Sequence, residues 1–246
     1  MRPLFVSSWL AFALALLPLA THAQPPAPEK VRWTLPPAVQ LGYELQGNIK
    51  GISYSASSLL KWQAEGGRYT LRLDTRLPLI GTRSQVSEGQ ITSTGLSPDR
   101  YTEQMRKANT ATVARADSQV TFNTGRPAAE WHAGAQDRLS VMLQIGQWLR
   151  AQPQRYKKGD VIDVQVIGPR NAPIWHFQVD GKDSVALPSG TVEALKFTRL
   201  PRDGKPDDDQ VIEFWLAPAY QYLPVRLRWS EDGDEADQLL SQISGL

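Results

Sequence analysis

Acid–base and nucleophilic chemistry has few places to start in this chain, which contains three histidines and no cysteine in 246 residues. His22 lies in an apolar N-terminal run, leaving His132 and His176. A histidine base needs a carboxylate to orient it and a hydroxyl to activate. His132 follows Trp131 and precedes Asp137 by five positions, so His132 with Asp137 is the better candidate pair for a hydrolase. His176 alternates with Gln178 and Asp180 on the polar face of a strand and reads as a solvated surface residue. No Gly-x-Ser-x-Gly elbow occurs, and no residue earns a catalytic assignment on sequence grounds.

Other reaction classes drop out on similar grounds. Without cysteine there is no thiol nucleophile, no thiolate-held zinc or iron–sulfur cluster and no lipid-bearing N-terminal Cys. His-x-x-x-His is absent, and the acidic run Asp203 to Asp209 lacks the alternating oxygen ligands and closing Glu of a calcium loop. It reads as a solvated hairpin tip. Neither Gly-x-Gly-x-x-Gly nor the Walker-type glycine loop is present, so nucleotide binding and any cofactor are not expected. With 27 basic against 25 acidic residues there is no basic excess to hold nucleic acid.

The aromatic residues are more informative. Tyr54, Trp62, Trp148, Trp175, Phe177, Trp215 and Trp229 all fall on apolar faces of expected strands or of the expected helix. Two uses fit them: a tryptophan-rich core, in which each ring buries a large apolar area, and the lining of a concave sheet that holds an acyl chain or hydrophobic peptide.

The elements that position these rings follow from periodicity. Tyr43 and Leu45, then Tyr54 to Trp62, then Tyr69 to Leu77 alternate apolar with polar, and glycines break the runs at Gly51 and Gly66-Gly67. That is the pattern of antiparallel strands with one dry and one wet face. The period changes over residues 136–151, where Leu139, Met142, Ile145 and Leu149 form a stripe with Asp137 as N-cap and Pro153 beyond the end. Alternation then resumes through Ile162, Trp175, Phe197, Phe214 and Leu223 to Trp229. Residues 211–216 are apolar on both faces, which predicts a central strand between the helix and a second layer.

Residues 1–23 look like a secretory signal, with Arg2, an apolar stretch from Leu4 to Leu19 and small residues before a cut after Ala23. The stretch contains Pro18 and is short for a retained anchor. Residues 24–38 are proline-rich and read as a spacer, leaving 39–246 as a single β-rich domain in the periplasm without a stable membrane anchor.

Several segments resemble a known family. Gly95-Leu96-Ser97-Pro98-Asp99-Arg100-Tyr101, Gln136-Asp137-Arg138-Leu139-Ser140, and Trp215-Leu216-Ala217-Pro218 with Tyr222-Leu223-Pro224-Val225-Arg226 look like domain-of-unknown-function family 3108, a set of exported bacterial proteins. The resemblance implies export and a β-rich fold but brings no catalytic residues. A looser likeness, of fold alone, is to periplasmic lipoprotein carriers.

The reading is a mainly β protein of about ten strands, forming a curved antiparallel sheet or barrel with the 136–151 helix packed on it. A two-sheet β-sandwich is the alternative, and a membrane-spanning barrel fits the helix and the double-faced strands less well. The expected function is non-enzymatic binding of a hydrophobic small molecule, a lipid or an envelope protein. The alternatives are an envelope scaffold and the His132–Asp137 hydrolase.

Overall fold

The computed structural model describes residues 34–201 and 209–246. The expected signal, most of the spacer and most of the acidic hairpin tip lie outside the described residues.

Alternation of apolar and polar side chains produces long strands wherever it persists. They are β1 (Ala38–Ile49), β2 (Ile52–Glu65), β3 (Arg68–Leu77), β4 (Gly81–Thr92), β5 (Gly95–Gln104), β6 (Ala108–Ala114) and β7 (Gln119–Phe122). Two short strands, β8 (Ala129–Glu130) and β9 (Gln136–Asp137), precede the helix α1 (Ser140–Ala151). After it come β10 (Val161–Ile167), β11 (Ile174–Leu187), β12 (Gly190–Arg199), β13 (Val211–Ala217), β14 (Leu223–Glu231) and β15 (Asp234–Ser244). All belong to one sheet in the order β8-β7-β6-β5-β4-β3-β2-β1-β15-β14-β13-β12-β11-β10-β9. Every pairing is antiparallel except β9 with β10. The first and last long strands meet in the middle of the sheet, Leu41 opposite Ile243 and Asn48 opposite Glu235.

Three expectations are corrected here. The sheet has 15 strands rather than about ten. β6 reads Ala-Asn-Thr-Ala-Thr-Val-Ala, too weakly apolar to show alternation, and β8 and β9 are too short to have a period. The strands form one curved sheet and not the two of a sandwich, and the sheet does not close by hydrogen-bonding its edges. The helix begins at Ser140 rather than 136, because Gln136 and Asp137 pair with Val166 and Ile167 as a strand. Asp137 still caps it from outside, its Oδ1 accepting from the Leu139 and Ser140 amides at 2.9 and 2.8 Å.

The helix is wrapped by the sheet. Leu139, Met142, Ile145 and Leu149 are buried as the stripe required, but so are Val141, Gln144, Gly146 and Gln147 on the other sides. A helix buried all round must satisfy its polar side chains from the surrounding wall. Gln144 does so with its Oε1, which accepts from the Leu96 amide at 2.6 Å, while its Nε2 and the Gln147 Oε1 have no hydrogen-bond partner among the described residues. Gly146 is required by proximity, since a Cβ there would stand 2.5 Å from the Tyr222 carbonyl oxygen.

Side-chain amides rather than a ladder join the two ends of the sheet, from β10 to β8 and from β9 to β5. Gln165 donates to the Glu130 and Ala172 carbonyls at 2.7 and 3.0 Å and accepts from the His132 amide at 2.8 Å. Gln136 donates to the Leu96 carbonyl at 2.8 Å. Ala111, Val120, Phe122, Ala135 and Ile167 form a small second core beneath this seam.

The main core lies between the inward faces and the helix. Phe214 packs edge-on against Phe177 with centroids 5.5 Å apart and stacks on Phe197 at 5.1 Å. Each such pair contributes about 0.5–1.5 kcal/mol beyond its buried area. Among the described residues no second layer covers the outer face of β13. Trp215 is shielded there by Lys196 and Arg226, whose charges sit 5.3 and 4.6 Å from its ring centroid, and its indole N–H donates to Asp183 at 2.7 Å.

Candidate binding hollow

In an antiparallel meander, alternate turns lie at the same end of the sheet. The β1–β2, β3–β4, β5–β6 and β14–β15 turns therefore share one rim, fixed by the pairs Ile49–Ile52, Leu77–Gly81, Gln104–Ala108 and Glu231–Asp234. The helix fills the interior only part of the way toward this rim. Above Leu139, Val141 and Met142 a hollow of about 370 Å³ remains.

Its apolar wall is built from inward positions of separate strands. Tyr54 comes from β2, Trp175 and Phe177 from β11, Phe214 from β13 and Trp229 from β14. Among the rings singled out by sequence, Tyr54, Trp175, Phe177 and Trp229 meet at this hollow, while Trp62, Trp148 and Trp215 do not line it. Trp62 is fully buried, stacks on Tyr69 at 5.4 Å and donates its indole N–H to the Pro36 carbonyl at 3.1 Å. Trp148 packs against the core from the helix under the Arg155 guanidinium, and Trp215 faces outward as described above. Period two cannot separate Trp62 from Tyr54, because it reports the face of a strand and not the height along it.

The polar part of the wall is ion-paired. Arg83 and Arg138 both contact Glu103 at 3.2 Å, and Arg228 reaches Glu213 at 3.4 Å. Burial pushes the Glu103 carboxyl up, but Arg83 and Arg138 outweigh it and hold the group below the usual carboxylate range. Trp175 has the Arg199 guanidinium 4.9 Å and the Arg138 guanidinium 5.8 Å from its ring. Two buried polar atoms of lining residues, Arg138 Nε and Gln238 Oε1, have no hydrogen-bond partner among the described residues. Both atoms are buried within the wall and do not face the open space, so the polar groups that line the hollow are the Arg83 and Arg228 side chains with Gln85 and Gln210. A hollow of about 910 Å³ elsewhere sets the charged Glu65, Arg68, Glu88, Asp99 and Arg100 beside Pro37, Ala64, Tyr69 and Val113, and its lining is the more polar of the two.

The histidine pair does not assemble. The His132 ring stands 3.6 Å from Glu130 at the surface. Asp137 is fully buried, and its oxygens are taken by the Ser87 hydroxyl and the Leu139 and Ser140 amides. Desolvation pushes the Asp137 carboxyl up to about 6, with those hydrogen bonds pulling the other way. His176 Nδ1 lies 2.7 Å from Asp163, its cross-strand neighbour, and not on Asp180. Among the described residues no cluster of three or more His, Asp or Glu could hold a metal, and no helix is long and apolar enough to cross a membrane.

The Ser87–Asp137 contact and the bridging glutamines escaped sequence reasoning. The one signal they left lay in the motifs themselves. Gly95 to Tyr101 and Gln136 to Ser140 meet where Gln136 and Gln144 hold Leu96, and Tyr222 of the third motif lies against Gly146. These motifs seat the helix rather than line the hollow, apart from Arg138 and Leu139.

The sequence profile of the family described as protein of unknown function (DUF3108) matches residues 49–236. Among solved structures the chain is similar to the beta-barrel-like protein of domain of unknown function DUF1849 from Brucella abortus, with a TM-score of 0.56 and 12% identity. That likeness covers 86% of this chain and 98% of the other, and at this identity it is a likeness of fold. No curated protein matches the sequence.

Proposed function

The chain belongs to the family of unknown function DUF3108, and we propose that it is an exported, non-catalytic binding protein that holds a hydrophobic ligand with a polar end in the mouth of its curved sheet. The observation that carries this reading is the hollow of about 370 Å³ closed below by the helix, with aromatic walls and with Arg83, Gln85, Gln210 and Arg228 among its lining. Its size is at the lower end of the roughly 300–1,000 Å³ of small-molecule sites, which suits one acyl chain rather than a diacyl lipid or folded peptide. The ion-paired wall is close to neutral, so the polar end need not carry a charge. The signal-like segment 1–23 supports export to the periplasm.

Solvent extraction and mass spectrometry of the protein purified from its native compartment test the reading. A stoichiometric amphiphile is expected from the parent. Ala236→Trp places a large side chain on the wall of the hollow, where Ala236 lies opposite Gly47 and Trp229. The amphiphile should be lost from that variant while its melting temperature stays near the parent's. An empty parent, or equal occupancy in Ala236→Trp, would overturn the reading.

A further inference from the structure

The rim above the hollow carries apolar side chains where hairpin turns are ordinarily polar. Ile52 follows the β1–β2 turn and is 73% exposed, Leu79 and Ile80 form the β3–β4 tip, and Met105 opens the β5–β6 turn. All four are exposed, and Leu79 is fully so. The three hairpins are successive in the sheet, so their tips stand two strands, about 10 Å, apart.

The β3–β4 tip is built to project its side chain. Leu79 sits at φ 61°, and the Ile80 amide donates to the Pro78 carbonyl at 2.7 Å, closing a three-residue turn. A leucine in this left-handed region is disfavoured where glycine or asparagine would be relaxed. The backbone thus bears strain to hold an apolar group in water.

Charge on the rim is divided. Lys50, Arg76, Arg106 and Lys107 are exposed beside the apolar tips. Of the carboxylates on β3 and β5, Asp74 is engaged by Arg72, and Glu103 by Arg83 and Arg138. Glu231, Asp232 and Asp234 belong to the β14–β15 hairpin, and Asp234 Oδ1 accepts from the Lys50 backbone amide at 2.8 Å.

From this juxtaposition we infer that the β1–β6 side of the rim docks on the surface of an anionic phospholipid bilayer. The tips of Ile52, Leu79, Ile80 and Met105 enter the boundary between headgroups and acyl chains, and the four cations meet lipid phosphates. Separate apolar points about 10 Å apart suit a fluid surface that can fill around each of them. A protein partner would need a continuous face of roughly 800 Å². The inference goes beyond the ligand reading and does not depend on it, since Leu79 and Ile80 do not line the hollow. Ile49, Leu77 and Met105 do line it just inside the rim, so a docked mouth would open onto the lipid.

Co-sedimentation of the chain, as purified from cells, with vesicles of phosphatidylethanolamine and phosphatidylglycerol tests the docking, with phosphatidylcholine vesicles for comparison. Binding is expected to the anionic vesicles and to fall at least about tenfold in Leu79→Gln/Ile80→Gln. It should weaken about fivefold for each cation removed in Arg106→Gln and Lys107→Gln. All four are exposed turn residues, and unchanged melting temperatures would certify the folds. Equal binding to phosphatidylcholine, binding unaffected by the tip variant, or a dimer in gel filtration that the tip variant abolishes would overturn the inference. Ligand content of the same variants, read by extraction, is expected to stay at the parent level and reports on the hollow separately.

Discussion

The hydroxyl of Ser87 on β4 donates to the carboxylate of Asp137, 50 residues further along the chain, with both residues completely buried. Ser87 is also 3.0 Å from the Tyr69 hydroxyl, and the Ser140 hydroxyl accepts from the Asp137 amide at 2.8 Å. The chain Tyr69–Ser87–Asp137–Ser140 joins the wall of the sheet to the first turn of the enclosed helix. Ser87→Ala removes one donor from a buried carboxylate and leaves the Tyr69 hydroxyl short of a partner. The expected cost is roughly 1–3 kcal/mol in urea or guanidinium unfolding at neutral pH. A loss below a few tenths of a kcal/mol would show that the contact does not anchor the helix.

The same carboxylate sets a pH dependence. Its ordinary value is about 3.9, and burial pushes it up to about 6 in the folded protein. Between those values the folded protein holds a proton that the unfolded chain has released. Stability from this group is therefore fully present below about pH 4 and lost as pH rises through about 6, up to about 3 kcal/mol in all. Glu103, held below its usual range, acts oppositely and loses its contribution on acidification. Asp137→Asn removes only the first effect. The melting temperature of the variant minus that of the parent should rise between pH 4 and pH 7 and be flat above pH 7.

Gly146 provides a test of how tightly the helix is seated. Alanine in a helix interior ordinarily gains about 1 kcal/mol over glycine. Here the added methyl meets the Tyr222 carbonyl oxygen at 2.5 Å, a backbone atom with no flexible end to move aside. Gly146→Ala should therefore destabilise by roughly 1–3 kcal/mol. A gain in stability would mean that the helix can slide away from the 218–222 segment.

Much of the scaffold was legible because alternation is a local property. Leu41, Tyr43 and Leu45 declare an inward face within a few residues, and so do Trp175, Phe177 and Val179. The site was legible only in part. Tyr54 and Trp62 lie on one face of β2, but eight residues of strand separate them by about 27 Å. Tyr54 stands at the open mouth and Trp62 in the packed end, and no feature of their local sequence distinguishes the two. Trp215 misled for a related reason. An apolar residue on the outer face predicted a second layer, whereas Lys196 and Arg226 from the flanking strands cover it.

The sequence by itself determined the class of secondary structure, a helix with an apolar stripe after the first run of strands, the absence of thiol chemistry and the residues that could face inward, because each follows from side-chain type and short-range period. Tertiary structure alone decided that β1 pairs with β15, that glutamine side chains tie β10 to β8 and β9 to β5 where no ladder forms, and that Asp137 meets Ser87 rather than His132. It also decided which four of seven aromatic rings border the hollow. These outcomes depend on how far the helix reaches along the interior and on which strands the curvature brings together. Both are set by the packing of all the strands at once.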